Sequence, residues 1–511
     1  MESEVAIKLQ NVTKRFGEII ANDNVNLVVN KGEILSILGE NGSGKTTLMN
    51  MLSGIYFPDH GDIYVYGKKV TIRSPKDAFA LGIGMIHQHF KLIDVLTAAE
   101  NIVLGLPGKD KLDKKHIVDD INKLIEAYGF DLDPEQKIYD MSVSQKQTVE
   151  IIKVLYRGAE ILILDEPTAV LTPQETSKLF DVLRNMRKAG KSIIIITHKL
   201  NEVMEMSDRV SVLRKGQYIG TINTPEATIA LLTEMMVGKK IDLEIERTEP
   251  GPFVSRIEVN HITCKNREGI AILDDVSFAS SAGEILGIAG IAGSGQKELL
   301  EAIAGLQHLE SGEILYHDPE GNTIKISDMK AAQIRDLKIS LAFVPEDRLG
   351  MGLVGSMDLT DNIMLRSYNE GKNFFANRKH PRNLAHKIVD KLSVATPSVD
   401  TPVRKLSGGN VQKILLGREI ATSPNVLMVA YPVRGLDINS SFMIYNLLDE
   451  QKRKGASVIC VGEDLDVLMA LCDRILVLSS GKLTGIVDAR TSTKEDLGLL
   501  MTHSKKGGQA K

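Results

Sequence analysis

The eight residues Gly39–Thr46, GENGSGKT, have a spacing suited to holding phosphate. Glycines let backbone N–H groups come close to an anion, and the helix start that follows adds partial positive charge. A lysine at the end of such a loop reaches the outer phosphates. The candidate cradle is therefore Gly39, Asn41, Gly42, Ser43, Gly44, Lys45, Thr46 and Thr47. Lys45 is placed on the β- and γ-phosphates and the Thr46 hydroxyl on Mg²⁺. Downstream, ILILDEP ends an apolar run in two carboxylates. Asp165 is suited to hold Mg²⁺ and Glu166 to polarise an attacking water, the two tasks phosphoryl transfer needs. A further run, IIIITHKL, ends at His198, whose ring nitrogen suits a γ-phosphate sensor. A strand-end histidine alone would more often be structural; beside the loop and the acid pair it reads as part of an ATP-hydrolysing site.

These groups need strands to aim them. EILSILG is a buried apolar run that meets glycines, and KTTLMNMLSG after it has helical character: strand, tight loop, helix. ILILDEP and SIIIITH read as buried strands of a parallel sheet with helices between them, so the fold class is α/β. The chain is also written twice. KGEILSILGENGSGKTTLMNMLSG matches AGEILGIAGIAGSGQKELLEAIAG at an offset of 251, and SDRVSVLRKGQ matches CDRILVLSSGK at 265. About fourteen extra residues therefore lie between these blocks in the second copy, expected as loop around HDPEGNTIK. The expected organisation is a first domain over 1–240, a charged linker over 241–255, a second domain over 256–502 and a solvated tail over 503–511.

The copies differ where the chemistry sits. Gly290, Gly293, Ser294 and Gly295 keep the second cradle, but Gln296 stands for Lys45 and Lys297 for Thr46. Neighbouring helix residues point about 100° apart, so Lys297 does not replace the lysine. Ala430 and Tyr431 stand for the acid pair, and Glu463 for His198.

Bulk composition restricts the partners. The 511 residues carry net charge −4, no Trp and 5% aromatics, which gives neither a basic footprint nor stacking surface for nucleic acid. Cys264, Cys460 and Cys472 are scattered and read as incidental thiols. The start MESEVAIKLQ does not resemble a signal peptide. Apolar runs are strand-length, well short of the ~20 residues that cross a bilayer.

With these motifs in place, the chain resembles the ATP-binding-cassette (ABC) ATPases, twice over and along nearly its whole length. The resemblance implies, in each domain, a mainly parallel core sheet, a smaller antiparallel sheet and a helical subdomain. It implies that Phe16 in TKRFG stacks on adenine and that Gln88 in MIHQHF touches Mg²⁺ and water while facing a membrane partner. It makes LSGGNVQK, with Ser407, Gly408 and Gly409, a signature that closes over the γ-phosphate from the opposite domain. The first copy's signature is altered: Ser142 is kept, but Ser144 stands where Gly409 does, and its Cβ hinders close approach to phosphate. Glu346 in FVPEDR replaces Gln88. In the family's head-to-tail arrangement, every consensus part falls in one site and nearly every altered part in the other.

Fused cassettes with these signatures resemble simple-sugar and nucleoside import ATPases, and HQHFKL with LDEPTAVLTPQE resembles the nucleoside branch, served by lipoprotein receptors. The resemblance implies ATP and Mg²⁺ as cofactors. It also implies two separate permease chains, an extracytoplasmic binding protein, and a peripheral place on the cytoplasmic face of a bacterial membrane. The alternatives are a ribose- or galactose-type importer and a soluble twin-cassette translation factor. The latter fits poorly with one altered site, a short linker and little charge for RNA.

Overall fold

The apolar runs ILSIL, SIIII and ILILD lie side by side in the middle of one six-stranded sheet. Its order is Gln217–Asn223, Arg209–Arg214, Ile34–Leu38, Ser192–Ile196, Ile161–Asp165, Ile83–Ile86, parallel throughout except for the first strand. The computed structural model describes residues 4–87, 90–106, 114–169, 171–240, 245, 247–251, 254–266, 268–336, 341–368, 377–434 and 436–502. Two units divide the chain, Met1–Asp242 and Leu243–Lys511.

Alternation explains why the central strands are apolar at nearly every position. Ile161 and Ile163 enter one core, together with Leu48, Met49 and Leu52 of the helix Lys45–Leu52. Leu162 and Leu164 enter another, with Ile102, Ile121 and Val149 of the helices Ala98–Val103, Lys114–Tyr128 and Val143–Tyr156. Both faces are covered, so the polar side chains admitted there are hydrogen-bonded, as Ser36 is to Ser207 and Ser192 to the Gly32 N–H. Each fully buried aliphatic contributes roughly 1.5–3 kcal/mol. The first core is roofed by a four-stranded antiparallel sheet in the order Ile19–Asn30, Val5–Phe16, His60–Val65, Lys68–Val70. That sheet and the helical layer are what the family resemblance implies.

The second unit repeats the plan. Its six strands run Leu341–Val344, Val426–Ala430, Ser457–Val461, Glu284–Gly290, Arg474–Ser479, Lys482–Asp488, and its smaller sheet Ala271–Ser281, Ser255–Lys265, Ser311–His317, Thr323–Lys325. The helices Leu359–Met364, Lys379–Lys391 and Gly408–Ile420 pack on it through Ile363, Ala385, Ile388 and Ile414. The same acid pins the same strand in both units. Asp208 accepts the Ile34 N–H at 2.9 Å, and Asp473 the Ile285 N–H at 2.9 Å.

The extra residues of the second copy are placed differently from expectation. Val65 pairs with Lys68, whereas its counterpart Tyr316 pairs with Ile324, so only part of the insertion lengthens this hairpin. The rest lies farther on, before the helix Gly408–Ile420. Apolar run length did not reveal this, because both segments are polar.

Residues 247–249 are bound to the second unit. The Arg247 guanidinium donates to the Met469 and Cys472 carbonyls at 3.1 and 2.6 Å. Thr248 donates to Asp449 through its N–H and its hydroxyl. Among the described residues no helix is long and apolar enough to cross a membrane. The three cysteines are free and buried. Burial pushes the Cys264 and Cys460 thiols up to about 11 and about 12, which leaves them unreactive near neutrality.

Candidate functional site

The cradle turns between the strand Ile34–Leu38 and the helix Lys45–Leu52. Gly44 is the helix N-cap at φ 96°, and a Cβ there would collide with the Ala21 carbonyl oxygen. Asn22 fixes this corner by donating its side-chain amide to the Gly44 carbonyl at 3.2 Å. Lys45 is buried and curls back over the loop, donating to the Gly39 and Glu40 carbonyls at 2.6 and 3.0 Å. Burial holds its ammonium below the ordinary lysine range, while Glu166 and Asp165 pull the other way. The Ser43 hydroxyl is buried and takes no hydrogen-bond partner among the described residues. A buried, unpaired hydroxyl inside a ring of glycines and a lysine fits an anionic oxygen.

Two more parallel strands, Ile161–Asp165 and Ser192–Ile196, deliver the remaining groups to the same end of the sheet. Asp165 ends its strand buried; burial raises its carboxyl and Glu166 adds to the rise, while a hydrogen bond from the Thr46 hydroxyl opposes it. Glu166 follows at φ 48°, a left-handed conformation that a side chain rarely adopts, fixed by its N–H donating to the Ile196 carbonyl at 2.9 Å. The bend turns its carboxylate toward the next strand's exit, where His198 Nδ1 donates to Oε1 at 2.9 Å. A carboxylate only accepts, so Nδ1 carries the proton. This hydrogen bond, ahead of the His198 charge, holds the Glu166 carboxyl below the usual range. The buried Asp165 carboxylate, repelled by Glu166 and hydrogen-bonded by the exposed Thr46 hydroxyl, offers hard oxygens that suit a small divalent cation.

Other residues singled out in the sequence are placed as follows. Asn41 and Gly42 are exposed on the loop, Thr46 is exposed and Thr47 partly so. Phe16 stands at the tip of the antiparallel sheet, 42% exposed, with its ring edge-to-face against Tyr56 at 5.1 Å. Gln88 lies outside the described residues. Ser142 caps the helix Val143–Tyr156 in a reciprocal box with Gln145, and Ser144 sits in its first turn. Ser407 caps Gly408–Ile420 and accepts from the Asn410 amide at 2.9 Å. At Gly409 a Cβ would lie 3.0 Å from Leu436.

In the second unit the backbone is kept and the chemistry is not. Gly293 and Gly295 adopt φ 85° and 99°, matching 80° and 96° at Gly42 and Gly44. Buried Gln296 donates to the Ile291 carbonyl at 3.1 Å, a neutral copy of the Lys45 contact. Lys297 faces Glu301 one turn along at 3.7 Å, with 45% of its side chain exposed. Ser294 is buried on the loop as Ser43 is. Tyr431 repeats the Glu166 bend at φ 49°, its N–H on the Val461 carbonyl at 2.9 Å. Burial pushes its hydroxyl up to about 12, so it stays protonated. Over it, 5.7 Å from the ring, lies the Arg434 guanidinium, which bridges Glu346 and Glu463, the latter at 3.3 Å. Sequence reading missed Arg434 and Arg348, although VPEDR had drawn notice, and it missed Asn22, whose type alone carries no signal.

A phosphate cradle after Ile34–Leu38, an acid pair after Ile161–Asp165 and a histidine after Ser192–Ile196, on three adjacent parallel strands, form the kind of site a nucleoside triphosphatase needs. The family model for ABC transporters matches residues 22–169 and 273–432, one stretch in each unit. The chain belongs to that family and is an ATPase, an energy-coupling subunit of its import class. It is 41% identical over 98% of its length to the Nucleoside import ATP-binding protein NupA of Lactococcus lactis, covering 99% of that protein. It is 42% identical over 99% to the Guanosine import ATP-binding protein NupO of Bacillus subtilis, again covering 99%. The Ribose import ATP-binding protein RbsA of Clostridium tetani is 36% identical, with 97% of each chain covered.

Proposed function

We propose that this chain hydrolyses ATP with Mg²⁺ at a single competent site and thereby drives nucleoside uptake through separate membrane proteins. The observation that carries the reading is the contrast between two otherwise matching sheet ends. One presents Lys45, Asp165 and a Glu166 carboxylate held by His198. The other presents Gln296, Ala430, a protonated tyrosine and an arginine-bridged acid pair.

Thr46 and Asp165, with Gln88, would hold the Mg²⁺, which offsets charge on the β- and γ-phosphates. Lys45 and the loop N–H groups bind phosphate, Glu166 orients and deprotonates water, His198 keeps Glu166 ionised and aimed, and Phe16 stacks on the base. The second unit supplies its intact signature, Ser407, Gly408 and Gly409. Gly290, Gly293, Ser294 and Gly295 with Gln296, Lys297 and the first unit's Ser142 and Ser144 form the site without turnover. The domain bounds 1–240 and 256–502 belong to this reading. So do two permease chains, a lipoprotein receptor and a peripheral place on the cytoplasmic face of the membrane.

Nucleoside cargo is favoured by the names of the two relatives above 40% identity. Ribose-type cargo is the second reading, favoured by the relative at 36%. Uptake of labelled guanosine and labelled ribose in cells carrying Glu166→Gln decides between them. Guanosine uptake should fall with ribose uptake kept; the opposite pattern rejects the nucleoside assignment.

A further inference from the structure

Outside the groups used above, the second unit holds an arginine that ties together three loops distant in the chain. Arg348 Nη1 donates to the Gly408 carbonyl at 3.0 Å, and Nη2 donates to the Arg434 carbonyl. Gly408 is the first residue of the helix Gly408–Ile420, directly after its cap Ser407. Arg434 follows the strand Val426–Ala430 and carries the bridge between Glu346 and Glu463. Arg348 itself lies two residues beyond Glu346, at the start of a tight turn capped by Asp347. One planar guanidinium therefore sets the distance between the LSGG turn and the exits of two strands.

Among the described residues, this tie has no counterpart in the first unit. Counting from the strand ends at Ile86 and Val344, the sequence has Phe90 in step with Arg348. Counting from Asp165 and Ala430, it has Ala169 in step with Arg434. Neither can donate a side-chain hydrogen bond. Among the described residues the clamp thus occurs in the unit whose LSGG turn is intact, and its two hydrogen bonds come from one rigid, planar guanidinium.

We propose that Arg348 is a positioning residue for hydrolysis: it presets the LSGG turn, Ser407–Gly409, in the pose that engages ATP. The inference rests on the reading that this turn takes part in turnover. Arg348 acts through its hydrogen bond to the Gly408 carbonyl. Its loss therefore acts on the reacting state more than on resting affinity, which Lys45 and its loop set.

The test is steady-state ATPase of the purified full chain carrying Arg348→Ala, Arg348→Lys and, as a control, Gly409→Ser, with unfolding midpoints measured alongside. A charge-assisted hydrogen bond of ordinary strength corresponds to about a tenfold drop in kcat. R348A should show that drop with KM for ATP within about twofold and an unchanged midpoint. R348K, which keeps a charged donor able to reach one carbonyl, should recover part of it. Wild-type kcat in R348A, with G409S impaired, overturns the positioning role alone. Loss of kcat and midpoint together in both arginine variants also overturns it, since that marks a scaffold. If G409S is itself neutral, the participation of the turn in hydrolysis is what fails.

Discussion

Glu166 is made ready by two local features, a bend and a neighbour. The left-handed φ of 48° swings its carboxylate off the strand axis, and His198 meets it at 2.9 Å. Replacing it with glutamine keeps the shape and removes the base, so kcat should fall about 10²–10⁴-fold while ATP still binds. Tyr431 occupies the same bend in the second unit, but its hydroxyl stays protonated to about 12. Tyr431→Phe should leave ATPase activity within about twofold, and a larger loss would mean that the second sheet end takes part in turnover. The His198 hydrogen bond also has a pH signature. It favours the charged carboxylate and lowers the Glu166 pKa, so removing it raises that pKa toward the ordinary glutamate value. The residual ATPase of His198→Ala should therefore lose its acid limb at a higher pH than wild type. A limb that stays in place in the kcat–pH profile would separate His198 from the ionisation of Glu166.

At the scale of elements, the two units pin equivalent strands with one motif but protect it differently. Asp208 pairs with Arg187 at 2.7 Å, with 28% and 45% of the side chains exposed. Asp473 pairs with Lys452 at 2.8 Å, with 4% and 1% exposed, because Thr248 lies over the pair and its carbonyl accepts from Lys452 at 2.5 Å. Removing one member of a buried pair strands a charge and costs about 3–5 kcal/mol, whereas an exposed pair contributes less than about 1 kcal/mol. Lys452→Ala should lower the denaturant midpoint of the second unit markedly, and Arg187→Ala should barely move that of the first. Equal costs would mean the cover by residues 247–249 contributes nothing. The equivalence of Asp208 and Asp473 was plain from the repeated text, as were the strands, since apolar runs of five at a fixed offset leave little freedom. The cover was not legible: Thr248 and Lys452 are 204 positions apart, and polar stretches carry no periodicity. The same limit hid the clamp on Gly408, which joins residues 60 and 86 positions apart. It also hid the bend at Glu166, because glutamate, unlike glycine or asparagine, does not advertise a positive φ.

For the whole molecule, the contrast between Lys45 and Gln296 makes nucleotide a lopsided stabiliser. A ligand that binds only folded protein adds RT ln(1 + [L]/Kd), about 2.7 kcal/mol at a hundredfold excess over Kd. The two cradles share the conformations of Gly42 with Gly293 and of Gly44 with Gly295, so the clearest difference between them lies in the side chains above. One is a buried ammonium answered by Asp165 and Glu166. The other is a neutral amide, with the nearby lysine turned to Glu301. Calorimetric unfolding in the Glu166→Gln background, where turnover does not consume the ligand, should show Mg²⁺ and ATP raising the transition of the first unit. Adding Lys45→Ala should remove most of that shift, because the phosphates lose the buried Lys45 ammonium. Adding Lys297→Ala should leave it intact, because that lysine already answers to a helix neighbour. A shift that survives Lys45→Ala and vanishes with Lys297→Ala would place the stronger nucleotide site in the second unit and reverse the assignment of roles to the two halves.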